Sequence, residues 1–177
     1  MIVIMMKGIL RYDYKVEVSD SEDISKLRNM NMGIMLEERK LLLFEEEYLY
    51  LLYHDKIEIY DVKKNKKYSF EELIDVLQDI DPRIWFKFIV YLDLRDRGYY
   101  IKKGPSKYIP FRLYEKGDIS KAKYYVIVFI EGEQISTLEL TRILYNVQRE
   151  DKRAIIAVVD SNGDITYYEA SLVNLEK

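Results

Sequence analysis

Tyr124-Tyr125-Val126-Ile127-Val128-Phe129-Ile130 and Ala154-Ile155-Ile156-Ala157-Val158-Val159 are two uninterrupted apolar runs. Neither alternates with polar residues, so each is expected to be a strand covered on both faces. Between them, Ser136 and Glu139 have the spacing of a capping box, in which hydroxyl and carboxylate satisfy each other's free backbone N–H groups; a helix is expected to about Arg149. After the second run, Asp160-Ser161-Asn162-Gly163-Asp164 reads as a hairpin turn into a strand at Ile165–Ala170. Upstream, Pro82 cannot continue a preceding helix but fits the first turn of a new one, with Asp81 as N-cap. Trp85, Phe88, Ile89 and Leu92 line one face of that helix, and Gly98 stops it. Strand-like Tyr99–Lys103 follows, then a loop holding Gly104-Pro105 and Pro110, then strand-like Phe111–Glu115. The order helix, three strands, helix, two strands describes an α/β domain at 82–177.

Residues 1–81 read as a smaller α+β domain. Ile2–Met6 is a short apolar run and Ile9–Val18 alternates as a strand as far as the turn-like Ser19-Asp20-Ser21. From Leu36 to Tyr53, Leu41, Phe44, Tyr48, Leu49 and Leu52 follow helical steps, with Glu37, Glu38, Glu45, Glu46 and Glu47 on other faces. The lone His54 falls where this helix ends, a place that suits a cation near the helix dipole. Ile57–Val62 alternates as a strand, Lys63-Lys64-Asn65-Lys66-Lys67 reads as a solvated basic turn, and Ser69 with Glu72 caps a helix to about Asp79. The fold class is therefore mixed α+β, an α/β second domain behind a small α+β first one.

The 177 residues are 49% hydrophobic and 33% charged, enough for a core and unlike a disordered chain. Without cysteine and with one histidine, the chain has no disulfide or thiolate ligand, and a zinc or iron site would need carboxylates almost alone. No cofactor is implied. The apolar runs fall short of the roughly 18 residues that span a bilayer, and Met1–Met6 has no positive region before it, so no membrane association and a cytoplasmic location are expected. Residues 1–82 carry 12 Lys+Arg against 18 Asp+Glu, net −6, and residues 83–177 carry 16 against 13, net +3. Such asymmetry suits a nucleic-acid surface on the second half, a self-complementary assembly, or plain scatter. Few glycines and prolines with abundant Lys, Glu, Ile and Tyr suit a heat-adapted protein with short loops. No phosphate loop or Ser-His-Asp set occurs. Glu150-Asp151-Lys152 imitates the Glu-x-Lys of metal-dependent nucleases, but the upstream acids Glu131, Glu133 and Glu139 fall in a turn and a helix.

At Tyr91-Leu92-Asp93-Leu94-Arg95-Asp96-Arg97-Gly98-Tyr99-Tyr100-Ile101 the sequence closely resembles the archaeal tRNA-splicing endonuclease family. Phe111-Arg112-Leu113-Tyr114-Glu115-Lys116-Gly117 resembles its catalytic-tyrosine segment. Lys152-Arg153 before Ile155–Asp160, with Gly163-Asp164-Ile165 and Tyr167-Tyr168, resembles its catalytic-lysine strand and acidic turn, and Ser69-Phe70-Glu71-Glu72-Leu73 matches its first domain. The resemblance implies a restriction-endonuclease-like second domain. It also implies cleavage of precursor tRNA at bulge-helix-bulge sites without metal, leaving 2',3'-cyclic phosphate and 5'-hydroxyl ends. In that mechanism a tyrosine is the base, a histidine the acid, and a lysine stabilises charge on phosphorus.

Tyr114 and Lys152 occupy the tyrosine and lysine positions, but the histidine position aligns with about Lys121, and residues 83–177 hold no histidine. Two further departures are expected around the same site: Ile109 and Pro110 replace a glycine and an aspartate, and Val147-Gln148-Arg149-Glu150-Asp151 alters the run before the lysine. The resemblance thus implies a non-catalytic structural subunit with Tyr114 and Lys152 vestigial. Its partner would be a catalytic paralogue in a heterotetramer, with a homodimer possible when the chain is isolated. Asp160 and Asp164 keep the charge of an acidic turn that, in the family, docks in a basic cleft of the opposite dimer. Two alternatives remain: an active endonuclease using Tyr114 and Lys152 with a substitute acid, and a metal-dependent nuclease.

Overall fold

In the computed structural model, which describes residues 5–37 and 39–173, the two apolar runs are neighbouring inner strands of one five-stranded sheet, a six-stranded sheet lies earlier in the chain, and the chain divides into the units Met1–Phe88 and Ile89–Lys177. The architecture is mixed α+β, with five helices among the described residues. None of those helices is long and apolar enough to cross a membrane.

The first unit contains β1 (Met6–Leu10), β2 (Val16–Val18), α1 (Ser21–Asn29), β3 (Ile34–Glu37), β4 (Lys40–Leu43), α2 (Glu45–Tyr53), β5 (Ile57–Asp61), β6 (Lys66–Tyr68) and α3 (Phe70–Gln78). The sheet order is β3-β4-β2-β1-β5-β6, with β1 parallel to β5 and the other neighbours antiparallel. Four sequence expectations change here. The strand expected over Ile9–Val18 is two antiparallel strands around the tight turn 11–15. Ser19-Asp20-Ser21 opens α1, because the Asp20 carboxylate accepts the N–H groups of Glu22 and Asp23, each at 3.0 Å, and Ile24 and Leu27 are buried. The helix expected from Leu36 begins only at Glu45. Leu41 lies in β4 and is buried with Leu42 and Leu43, so its helical spacing from Phe44 and Tyr48 is coincidental, in a strand covered on both faces. The lysine-rich stretch is half strand, since β6 pairs Tyr68 with Ile59. Ile2–Ile4 and Glu38 lie outside the described residues.

Glu47 shows why α2 starts where it does. Its carboxylate, 4% exposed, accepts the N–H of Phe44 at 3.0 Å and that of Gly33 at 2.9 Å, tying the helix start to the β3 entrance. α3 has the expected box, with Ser69 Oγ accepting from the Glu72 N–H and the Glu72 carboxylate accepting from the Ser69 N–H. His54 is the residue that caps the end of α2, as expected.

α4 (Ile84–Asp96) runs across the division, and the Asp81 carboxylate accepts the Arg83 N–H at its start. Gly98, at φ +86°, follows its end. Then come β7 (Tyr100–Ser106), β8 (Ile109–Tyr114), β9 (Tyr124–Ile130), α5 (Thr137–Arg149), β10 (Arg153–Val159) and β11 (Ile165–Ala170). The sheet order is β11-β10-β9-β8-β7, with β9 and β10 parallel and the rest antiparallel. β9 is covered on both faces as expected: α5 brings Ile143, Leu144 and Val147 to Tyr125 and Ile127, and on the other face the Tyr91 ring lies 5.8 Å from that of Phe111. At α5 the Ser136 hydroxyl accepts the Glu139 N–H at 3.1 Å.

The expected loop around Gly104 and Pro110 is mostly strand, with only Lys107-Tyr108 between β7 and β8. The pairing shifts register between Lys103 and Ser106, which absorbs the irregularity, and Pro105 lies on the edge strand, where no neighbour needs its missing N–H. A Cβ on Gly104 would fall 1.8 Å from the Ile109 carbonyl oxygen and 2.7 Å from the Phe111 nitrogen, both backbone atoms. Gly104→Ala should therefore cost about 1–3 kcal/mol, the usual range for overpacking. The check is denaturant unfolding with amide exchange, and exchange should rise first in β7 and β8.

Candidate functional site

β8 ends, and β9 and β10 begin, at one edge of the second sheet: Leu113 and Arg153 flank Tyr124 in register from either side. α5 reaches the same edge with its carboxyl end, where Asp151 at φ +54° turns the chain and the Lys152 N–H donates to the Val147 carbonyl. The cleft between these ends has a volume of about 590 Å3, and Glu115, Asp118, Lys121, Lys123, Asp151, Lys152 and Arg153 supply its charged lining. A helix carboxyl end carries partial negative charge, so this is a favourable place for cations.

Most of these charges are paired. Lys121 Nζ lies 2.7 Å from the Asp151 carboxylate, Lys123 pairs with Glu115, and the Arg153 guanidinium donates to Glu169 at 2.7 Å while lying 5.2 Å from the Tyr124 ring centre. Lys152 makes no ion pair among the described residues and acts on Asp151 only through space. Lys121 holds the Asp151 carboxyl below its ordinary range, chiefly by that hydrogen bond. The Ser120 hydroxyl and N–H do the same for Asp118, folding the turn that carries Lys121. The Glu115 carboxylate raises the Lys123 ammonium. The Tyr125 hydroxyl donates to Glu150, and burial, then that bond, raises its pKa.

The residues expected from the sequence are only partly brought together. Lys121 and Lys152 share the cleft. Tyr114 ends β8, half-buried and paired in register with Tyr100, and precedes Glu115, which lines the cleft. Asp160 and Asp164 lie past the far end of β10, roughly 20 Å away at about 3.3 Å per residue. The Asp160 carboxylate accepts the N–H groups of Asn162 at 2.8 Å and Asp164 at 2.9 Å, so it shapes the turn from within, while Asp164 is exposed.

The expectation that three departures surround one site changes too. Ile109 and Pro110 sit at the opposite end of β8 from Tyr114, about 17 Å along the strand. Only the Lys121 and 147–151 changes meet at the cleft. Glu115, Asp118 and Arg153 as lining groups were not read from the sequence. Arg153 opposite Glu169 would have needed the β10–β11 register, and Lys121 with Asp151 a contact across 30 positions. The Glu150 and Asp151 carboxylates of the nuclease-like triplet are engaged by Tyr125 and Lys121. Among the described residues, no group of three His, Cys, Asp or Glu side chains is placed to share a metal ion.

Two family profiles match the chain. Residues 84–167 match the one described as tRNA intron endonuclease, catalytic C-terminal domain, and residues 6–74 the one described as tRNA intron endonuclease, N-terminal domain. The two matches together define a chain with both domains of a tRNA intron endonuclease. The chain belongs to the tRNA intron endonuclease family. It is 37% identical over 168 residues to a tRNA-splicing endonuclease of Methanococcus vannielii, with 92% of each chain covered. It is 34% identical over 162 residues to one of Thermococcus gammatolerans, covering 90% of this chain and 94% of the relative.

The Lys121–Asp151 pair has a measurable sign. A carboxyl with a lowered folded pKa contributes stability that is present above its ordinary value and is lost as pH falls through the lowered one. An NMR titration of the Asp151 side-chain carbon should therefore give a midpoint below the ordinary 3.8. Lys121→Ala should move that midpoint upward; an unmoved midpoint would mean that the pair is not formed.

Proposed function

We propose that this chain is a structural subunit of the endonuclease that removes introns from precursor tRNA at bulge-helix-bulge sites. In this reading it serves assembly and RNA binding in a heterotetramer, beside a paralogue that carries the chemistry. The carrying observation is the Lys121–Asp151 pair, at the position where the resemblance places a histidine. A general acid must release its proton near working pH; lysine's ordinary pKa is about 10.4 against about 6.5 for histidine. Donation from Lys121 would also break a contact of 2.7 Å. The acidic turn supports the assembly part. Asp160 holds it in shape and Asp164 is exposed, so its charge is preformed for a basic partner surface.

The test is cleavage of an intron-containing precursor tRNA in EDTA, by this chain alone and by its mixture with the catalytic paralogue. Only the mixture should cleave, and Tyr114→Phe in this chain should leave the rate within about twofold. Asp160→Asn with Asp164→Asn should impair assembly of the mixed complex, read by sedimentation. Cleavage by this chain alone, abolished by Tyr114→Phe, would overturn the reading in favour of an active enzyme with a substitute acid. Cleavage only with magnesium would overturn it in favour of a metal-dependent nuclease.

A further inference from the structure

In the first sheet β1 and β5 run parallel side by side, so both leave it at the same edge, β1 into the turn 11–15 and β5 into Val62–Asn65. Neighbouring parallel strands that release their loops together leave a crevice beyond their carboxyl ends. Here the crevice has a volume of about 610 Å3, and its walls include Ile9, Tyr12, Tyr14, Val62, Lys63 and Tyr68. That size is in the range of small-ligand sites.

The aromatic side of this crevice is held deliberately. Tyr14 sits at φ +58°, a left-handed conformation that costs a tyrosine free energy and glycine almost none. The turn is closed by the Arg11 N–H on the Lys15 carbonyl and the Tyr14 N–H on the Arg11 carbonyl, and the hydroxyl of the buried Tyr48 donates to the Tyr14 carbonyl at 2.9 Å. Strain that the surroundings over-determine points to a use for the side chain. Next to it Tyr12 is 83% exposed, with the Arg11 guanidinium 6.0 Å from its ring centre.

The other wall is cationic within a half of the chain that is acidic overall. One Asp61 oxygen accepts the N–H groups of Lys63 and Lys64, folding the turn, and its other oxygen lies 3.9 Å from Lys64 Nζ. Lys63 makes no ion pair among the described residues, and Lys64 Nζ lies 3.4 Å from the Tyr68 hydroxyl. Arg11, by contrast, is held by Asp13 and Glu17, Lys66 by Glu72 and Lys67 by Glu58. Lys63 is thus left for an anion, and Lys64 is held only by a long contact with Asp61, which shares the crevice lining.

Flat rings beside two loosely held ammonium groups fit a strand that has both faces to stack and phosphates to neutralise. An acidic peptide would use the lysines and leave the rings idle; a lipid headgroup would do the same. We propose that this crevice binds an unpaired stretch of RNA, with bases against Tyr12 and Tyr14 and phosphates at Lys63 and Lys64. The proposal rests on the reading of this chain as an RNA-binding subunit and gives the first unit a share in that binding.

The test is fluorescence anisotropy of a short labelled oligouridine with the full chain at several salt concentrations. Tyr12→Ala should weaken binding by about 5- to 150-fold, the value of one stacked base, and Tyr12→Phe should keep it within about twofold. Lys63→Ala with Lys64→Ala should lower the log–log salt slope by about 1.4, at about 0.7 for each phosphate contact. Tyr14→Gly should weaken binding without lowering the melting temperature, since glycine takes the left-handed turn unstrained. Absence of saturable binding by the unaltered chain, or binding by Tyr12→Ala and by the double-lysine variant that equals that of the unaltered chain, would overturn the proposal. So would a Tyr12→Ala effect confined to association with the catalytic paralogue, which would make the crevice a protein-docking site. Oligouridine carries no splice site, so these outcomes are independent of whether the chain cleaves by itself.

Discussion

The parallel pairing of β9 with β10, from Arg153 opposite Tyr124 to Val159 opposite Ile130, is the constraint on which the second unit depends. Parallel neighbours need a crossover, and α5 supplies it; its Ile143, Leu144 and Val147 then cover one face of the pair it connects. Because both strands start at one edge, the carboxyl end of α5 and the entry turns of β9 and β10 must converge there, and the charged cleft is their meeting place. The same register sends the turn 160–164 to the opposite edge. The turn 160–164 and the cleft are therefore kept apart by the length of one strand.

The first unit solves a different problem. Its sheet also has one parallel pair, but the elements joining β1 to β5 are three strands and two helices, and a buried glutamate is used to align them. Glu47 accepts backbone N–H groups from Phe44 and Gly33, so the cost of burying a carboxylate is offset by satisfying two donors that would otherwise lack strand partners. The outcome is a sheet whose parallel pair leaves a crevice at its loop edge, as the pairing in the second unit leaves a cleft.

The ion pairs that fill the cleft contribute little to folding. Lys121, Asp151, Lys123 and Glu115 are all exposed, and exposed pairs are screened by water and salt. Their effect is on availability: they engage carboxylates and ammonium groups that chemistry would otherwise use, leaving Lys152 as the cleft cation without a carboxylate partner among the described residues. The two lysines of the first unit are the reverse case, since Asp61 spends one oxygen on backbone N–H groups and lies only loosely against Lys64.

What could be read from the sequence was what depends on neighbours along the chain. The apolar runs of β9 and β10, the box at Ser69 and Glu72, the Asp81-Pro82 start, the Gly98 stop and the 160–164 turn are each decided by a few adjacent residues, and each stands in the structure where it was expected. The false helix over 36–44 and the missed β6 show the limit: apolar spacing cannot tell a helix from a strand buried on both faces until the partner strand is known. The site shows it more sharply. Lys121 and Lys152 were identified by resemblance, but that Asp151 engages one and not the other, that Glu115 lines the cleft, and that Ile109 and Pro110 lie a strand's length away follow from register and strand direction. The sequence by itself therefore determined the family and the elements set by adjacent residues, whereas the tertiary structure alone decided which charges meet, because ion pairing falls off within a few ångströms and the chain separates these partners by dozens of residues.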